Sequence, residues 1–195
     1  MRITFVFLAI YILLFLLSLA DPDTFVQLFA FNPKLFLYYP WTIITSLFLH
    51  VNFAHLFFNS ITLLFFGLYF EQLYGKKHFL ILYIFAGLVG NLFFLLLNLD
   101  KFVYGLGASG SLFGIMAALA IKKPYDQVIM FPIIIPIPMI LALFVWIIIN
   151  FLGIIFPYGN IGYSAHLGGI LAGLLYSKYL SEEEIYSIKV DYMIE

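Results

Sequence analysis

Ser109, His166, His55 and Asn59 are the residues of this chain whose types and spacing could carry acyl-transfer chemistry. A serine hydroxyl becomes a nucleophile when an adjacent imidazole takes its proton, and fixed donors then hold the oxyanion that forms. Ser109 stands in Tyr104-Gly105-Leu106-Gly107-Ala108-Ser109-Gly110, where Gly105 and Gly107 oppose regular helix and Ser109 is the expected helix start. A helix N-terminus offers unpaired N–H groups and the positive dipole end, both suited to a developing oxyanion. His166 stands in Ala165-His166-Leu167-Gly168-Gly169-Ile170-Leu171-Ala172-Gly173. Gly169 and Gly173 have GxxxG spacing and fall within about 60° of His166 on a helical wheel. The histidine therefore lies on the face that can approach another helix most closely. In His50-Val51-Asn52-Phe53-Ala54-His55-Leu56-Phe57-Phe58-Asn59, His55 and Asn59 are about 40° apart on one helical face, whereas His50 is about 140° from His55 and points elsewhere on a regular helix. Each group also has a plainer reading: glycine and serine permit close packing, and polar side chains hydrogen-bond between helices. His50 and His55 have no third convergent ligand, and the chain has no cysteine, so neither a metal nor another cofactor is expected.

The elements that must position these groups follow from composition. Only 10% of the residues are charged, 65% are hydrophobic, and the mean hydropathy is +1.10. Too little polar surface is available for a water-soluble domain. A net charge of −1 also lacks the basic footprint of a nucleic-acid binder. The expected fold is an all-α, polytopic membrane protein, a single domain over residues 1–195 with spans at about 3–20, 43–70, 79–99, 108–121, 128–156 and 161–180. Residues 127–177 contain no Asp, Glu, Lys or Arg, and Pro157-Tyr158-Gly159-Asn160 divides that stretch. Arg2, the first apolar run and Ser18-Leu19-Ala20 also resemble a signal peptide, but the run is longer than a usual signal core, which favours a retained span. With the N-terminus inside, Arg2, Lys76, Lys77, Lys122, Lys123, Lys178 and Lys189 are cytoplasmic and only Lys34 and Lys101 external, which places both termini inside. From Ser109 to Ile121 a helix is roughly 20 Å long, against a hydrocarbon core of about 30 Å. Ser109 is then expected roughly 10 Å below the outer boundary, at a sunken helix start reached by water from outside. His166, four residues after Gly162 on a span running the same way, is expected at similar depth.

The ordered set of motifs resembles the rhomboid family of intramembrane serine proteases. Gly107-Ala108-Ser109-Gly110 is similar to its GxSG nucleophile motif, Ala165-His166 with Gly169 and Gly173 to its AHxxGxxxG helix, and His50, His55 and Asn59 to its HxxxxHxxxN helix. Gly67, Glu71 and Gly75 fit a GxxxExxxG continuation. The resemblance covers nearly the whole chain. It implies a six-helix rhomboid-like bundle with a sunken active site open to the outer face, with Ser109 as nucleophile and His166 as base in a dyad without a third acid. It also implies an oxyanion site of His55, Asn59 and the Ser109 N–H, and Phe113 as the ring stacked on the catalytic imidazole. The resemblance further implies that Gly107, Gly110, Gly169, Gly173 and His50 support the site and that Glu71 is structural. Two departures are Phe113, where tyrosine is common, and Trp41-Thr42, where many relatives have Trp-Arg.

The expected activity is hydrolysis of transmembrane protein substrates within the lipid bilayer, near its outer face. Against it stand a non-catalytic rhomboid-like protein that binds membrane clients, which has no physical reason to keep both Ser109 and His166, and a small channel or transporter. The last predicts polar groups along the full depth of the membrane, whereas here they crowd its outer half apart from Glu71.

Overall fold

A helix satisfies the backbone N–H and C=O groups of an apolar segment from within that segment, and most of this chain takes that solution. The computed structural model describes residues 2–130, 133–159 and 161–181, and in them the fold is largely helical. Helices α1 (Ile3–Ser18), α2 (Pro22–Phe29) and α3 (Thr42–Thr45) lead to α4 (Phe53–Thr62), which passes through a π-helical segment (Leu63–Gly67) into α5 (Leu68–Leu96). Helix α6 (Ser109–Lys122) is followed by the antiparallel hairpin of β1 (Gln127–Met130) and β2 (Ile133–Pro138), then by α7 (Met139–Ile155) and α8 (Tyr163–Tyr176). One helical run, Phe53–Leu96, is long and apolar enough to cross a membrane; α1, α6 and α7 are apolar but shorter. That run is not straight. Gly75 breaks it at φ 77° and ψ 170°, a backbone conformation open essentially to glycine alone. The chain doubles back there, so that Gly67 faces Phe79 and the Tyr83 hydroxyl donates to the Leu47 carbonyl at 2.8 Å.

The interior is built around α5, α6 and α8. A Cβ placed on Gly169 would sit 2.8 Å from the Gly110 carbonyl carbon, and one on Gly173 would sit 2.8 Å from that of Gly114, so α6 and α8 meet backbone to backbone. Gly168 turns to the other neighbour, where a Cβ would lie 2.7 Å from the Val89 carbonyl oxygen of α5. Helix α1 is tied to this core at both levels. The Glu71 carboxylate accepts from the N–H groups of Ile3 (2.8 Å) and Thr4 (2.9 Å) and from the Thr4 hydroxyl (2.6 Å). These are first-turn donors with no partner inside their helix, and a carboxylate also complements the dipole there. Two turns further along α1, the Tyr11 and Tyr83 hydroxyls meet at 2.6 Å. The outside is apolar instead of charged: Leu13, Leu16 and Leu17 of α1 and Phe144, Ile148 and Phe151 of α7 are exposed, while Asn91, Ser111 and Asn150 are buried. Apolar surface on this scale suits a membrane protein.

Two expectations about the elements require correction, and one element was not anticipated. The region 43–70 is not one helix: residues 49–52 are extended or bent, and α4 begins at Phe53 because the Asn52 side chain caps it, accepting from the His55 N–H at 2.8 Å. The region 128–156 is helical only from Met139. Pro136 and Pro138, which cannot sit inside a helix, lie in β2, and the hairpin closes through Met139 N–H to the Asp126 carbonyl at 2.9 Å. The segment between the first two expected spans contains α2, whose start is marked by Asp21 accepting from the Thr24 N–H and by Pro22 in its first turn.

Candidate active site

Ser109 is the first residue of α6, and the backbone before it is unusual for a reason that can be stated. Gly107 has φ 128°, and a Cβ there would lie 2.6 Å from Cε1 of the His55 ring. Only glycine allows the loop to turn in this way and the imidazole to lie against it. The loop is held in place by the Gly107 N–H, which donates to the Ser46 carbonyl at 2.9 Å. Among the described residues no side chain caps α6, so its first-turn N–H groups are left beside the half-buried Ser109.

His166, buried on α8, has both ring nitrogens engaged: Nε2 lies 2.7 Å from Ser109 Oγ and Nδ1 lies 2.7 Å from Asn150 Oδ1. The glycine contacts at Gly110, Gly169 and Gly173 bring α6 and α8 close enough for the first of these. The Phe113 ring, one turn after Ser109, covers the imidazole at a centroid distance of 4.5 Å and an interplanar angle of 32°. Trp146 meets the edge of Phe113 at 6.0 Å and 86°.

The other wall, which meets the loop at Gly107, comes from α4. Asn52 fixes the His55 backbone, and the Asn59 side chain is buried with Nδ2 donating to the His55 carbonyl at 2.9 Å. This leaves Asn59 one further N–H. His50 is buried as well, and its ring lies 5.1 Å from that of His55 and 4.8 Å from that of Tyr11. The wheel argument that separated His50 from His55 therefore fails, because residues 49–52 are not helical and bring the two rings edge to face.

Among the side chains at the site, sequence reasoning missed Asn150. It is buried on α7, in a helix that is otherwise almost wholly apolar. A lone amide in such a segment is costly unless it is bonded, and that was the available signal. At Trp41 the loop needs no arginine beside it: its indole N–H donates to the Leu28 carbonyl at 2.8 Å, and the Thr45 hydroxyl donates to the Phe29 carbonyl at 2.7 Å.

A serine at a helix N-terminus, an imidazole on its hydroxyl and donor-bearing side chains beside the loop before it together form a constellation for nucleophilic acyl transfer. Comparison with known proteins adds an independent line. A family model described as a rhomboid domain matches residues 38–183. The chain is 34% identical over 150 residues to the mitochondrial rhomboid protein 1 of Saccharomyces cerevisiae, covering 72% of this chain and 42% of that protein. It is 32% identical over 185 residues to the rhomboid protease GluP of Bacillus subtilis, covering 87% of this chain and 33% of that protein. It is also 35% identical over 82 residues to the inactive RHOMBOID-like protein 8 of Arabidopsis thaliana, covering 41% of this chain and 23% of that protein. The chain thus spans less than half the length of each of these relatives.

Proposed function

The chain belongs to the rhomboid family, and from that premise we propose that it is an intramembrane serine endopeptidase in which Ser109 is the nucleophile and His166 the general base. Because one relative is named inactive, family membership alone does not carry the activity. The observation that does is the 2.7 Å contact between Ser109 Oγ and His166 Nε2. In the proposed reaction the Ser109 oxygen bonds to the substrate carbonyl carbon as its proton passes to Nε2. The tetrahedral oxyanion is held by the Ser109 N–H, His55 and Asn59. His166 then gives the proton to the leaving amine as the C–N bond breaks, and water repeats the sequence on the acyl-enzyme. The His55 ring lies against Gly107, two residues before Ser109, and Asn59 donates to the His55 carbonyl one turn further along α4, which supports the oxyanion role. No metal or other cofactor enters this reaction.

The substrates in this reading are transmembrane proteins, cut near the outer face of the bilayer. The chain is multi-pass with six spans, its termini are cytoplasmic, and the site is sunken and open to the outside. Helix α6, with Lys122 and Lys123 at its far end, supports this orientation. The decisive experiment is labelling of purified protein with a fluorophosphonate alongside cleavage of a transmembrane reporter. Wild type should label and cleave, and Ser109→Ala should do neither while melting normally; full cleavage by Ser109→Ala would refute the serine mechanism. Because the chain has no native cysteine, orientation can be read from single substitutions. Lys34→Cys and Lys101→Cys should react with an impermeant thiol reagent outside intact cells, whereas Lys77→Cys and Lys123→Cys should not. The reverse pattern would overturn the topology.

A further inference from the structure

The Asn150 amide is held from both ends, and this decides which nitrogen of His166 carries the proton. Its Nδ2 donates to the Trp146 carbonyl one turn earlier in α7 at 2.8 Å, so Oδ1 is the atom directed at His166. An amide oxygen only accepts, and at 2.7 Å its partner Nδ1 must therefore carry a hydrogen. A neutral imidazole with hydrogen on Nδ1 has a free lone pair on Nε2, and Nε2 is the atom 2.7 Å from Ser109 Oγ. The opposite tautomer would place a donor against the serine hydroxyl and a lone pair against the Asn150 oxygen, losing one hydrogen bond and leaving no base for the serine proton.

We propose that Asn150 is a positioning residue for His166, fixing the imidazole in the Nδ1–H tautomer and holding Nε2 ready to take the Ser109 proton. This rests on the serine protease reading, to which it adds a third member on a helix that carries neither Ser109 nor His166. Asn150 stays neutral, so its part is orientation and tautomer selection. When the imidazolium forms, Oδ1 continues to accept from Nδ1–H, and no proton passes to the amide. The site is well placed for such a role, since Asn150 is buried and the Phe113 ring blocks one face of the imidazole. Rotation of the ring out of the Ser109–Asn150 line would break both contacts at once.

The test combines nitrogen-15 NMR of histidine-labelled protein with kinetics. In wild type at neutral to mildly alkaline pH, His166 should show a protonated Nδ1 and an unprotonated Nε2, with the resonances assigned by their loss in His166→Ala. A wild-type spectrum with the proton on Nε2 overturns the proposal without any Asn150 variant. Asn150→Leu keeps the approximate volume but leaves Nδ1–H without an acceptor. It should lower kcat and the limiting rate of fluorophosphonate labelling by about ten- to a hundredfold, with KM little changed and a mixed or Nε2–H spectrum. Asn150→Asp retains an acceptor oxygen and should restore both the labelling rate to within a few-fold of wild type and the Nδ1–H signature. Asn150→Leu labelling at the wild-type rate, or Asn150→Asp as impaired as Asn150→Leu, would sink the idea. If Asn150→Leu does not fold, the wild-type tautomer and Asn150→Asp decide. Wild type that fails to label at all counts against the protease reading instead, and the tautomer spectra still test the Asn150 contact.

Discussion

The two groups of side chains that meet at the Gly107 loop are held in different ways. On the α6–α8 side, His166 is fixed through Nε2, Nδ1 and one ring face, by Ser109, Asn150 and Phe113, and the helices beneath it touch backbone to backbone through Gly110, Gly114, Gly169 and Gly173. On the α4 side, His55 is anchored by its backbone N–H to Asn52, while its half-buried ring packs against Gly107 and edge to face with His50. Asn59 directs one amide hydrogen to its own helix and keeps the other. The difference matches two chemical needs of the proposed mechanism. A base must be aligned with its nucleophile before substrate arrives, whereas donors to an oxyanion are required only where charge develops and are judged by geometry to the tetrahedral species.

The contrast predicts unequal costs when each wall is damaged. On the proposed mechanism, replacing His166 by alanine removes the base aligned with Ser109, and reporter cleavage should fall on the order of 10⁴-fold or more, the scale known for serine hydrolases stripped of one member of the pair. A loss of only tenfold would mean that proton transfer is not routed through His166. On the other wall, His55→Ala or Asn59→Ala should each reduce kcat by about 10²–10³ with modest change in KM; a rise in KM at constant kcat would identify them as substrate-binding groups. If either variant matched His166→Ala, the two walls would have to be regarded as equally essential.

The packing beneath the site predicts a smaller effect. Gly173→Leu forces a side chain into the Gly114 backbone and should destabilise the protein by about 1–3 kcal/mol, with cleavage falling in parallel as α8 is displaced. Thermal unfolding and cleavage both unchanged would show that the α6–α8 contact is dispensable. Gly75→Ala sharpens the comparison as a remote control. A Cβ there meets nothing within 4 Å, yet φ 77° is strained for any other residue, so stability should drop by about 1 kcal/mol while activity per folded molecule stays the same. A selective loss of activity in Gly75→Ala would show that the turn between α4 and the rest of α5 is coupled to the site.

The candidate site residues stand out in the sequence because their types are rare in an apolar chain: a serine between Ala108 and Gly110, a histidine on a glycine face, and a histidine four residues from an asparagine. Where helix propensity and proline compete locally, sequence reasoning was less secure. It extended a helix through His50–Asn52, although Asn52 is a natural cap, and through residues 128–138, although prolines stand at 136 and 138. The wheel angle between His50 and His55 was correct arithmetic applied to a segment that is not a helix.

Composition, hydropathy and the order of the motifs were enough to determine a helical membrane protein of the rhomboid family, because burial in an apolar medium permits few backbone solutions and leaves every polar side chain conspicuous. The sequence alone led to the expectation that Ser109 and His166 share a depth, but it could not supply the 2.7 Å between them, since that distance depends on how closely α6 and α8 approach. Nor could it join Asn150 to His166 or His50 to His55. Hydrogen bonds and ring contacts between side chains on separate segments exist only once helices and loops have packed, and their geometry is decided by tertiary structure because no periodicity within one segment encodes the position of another.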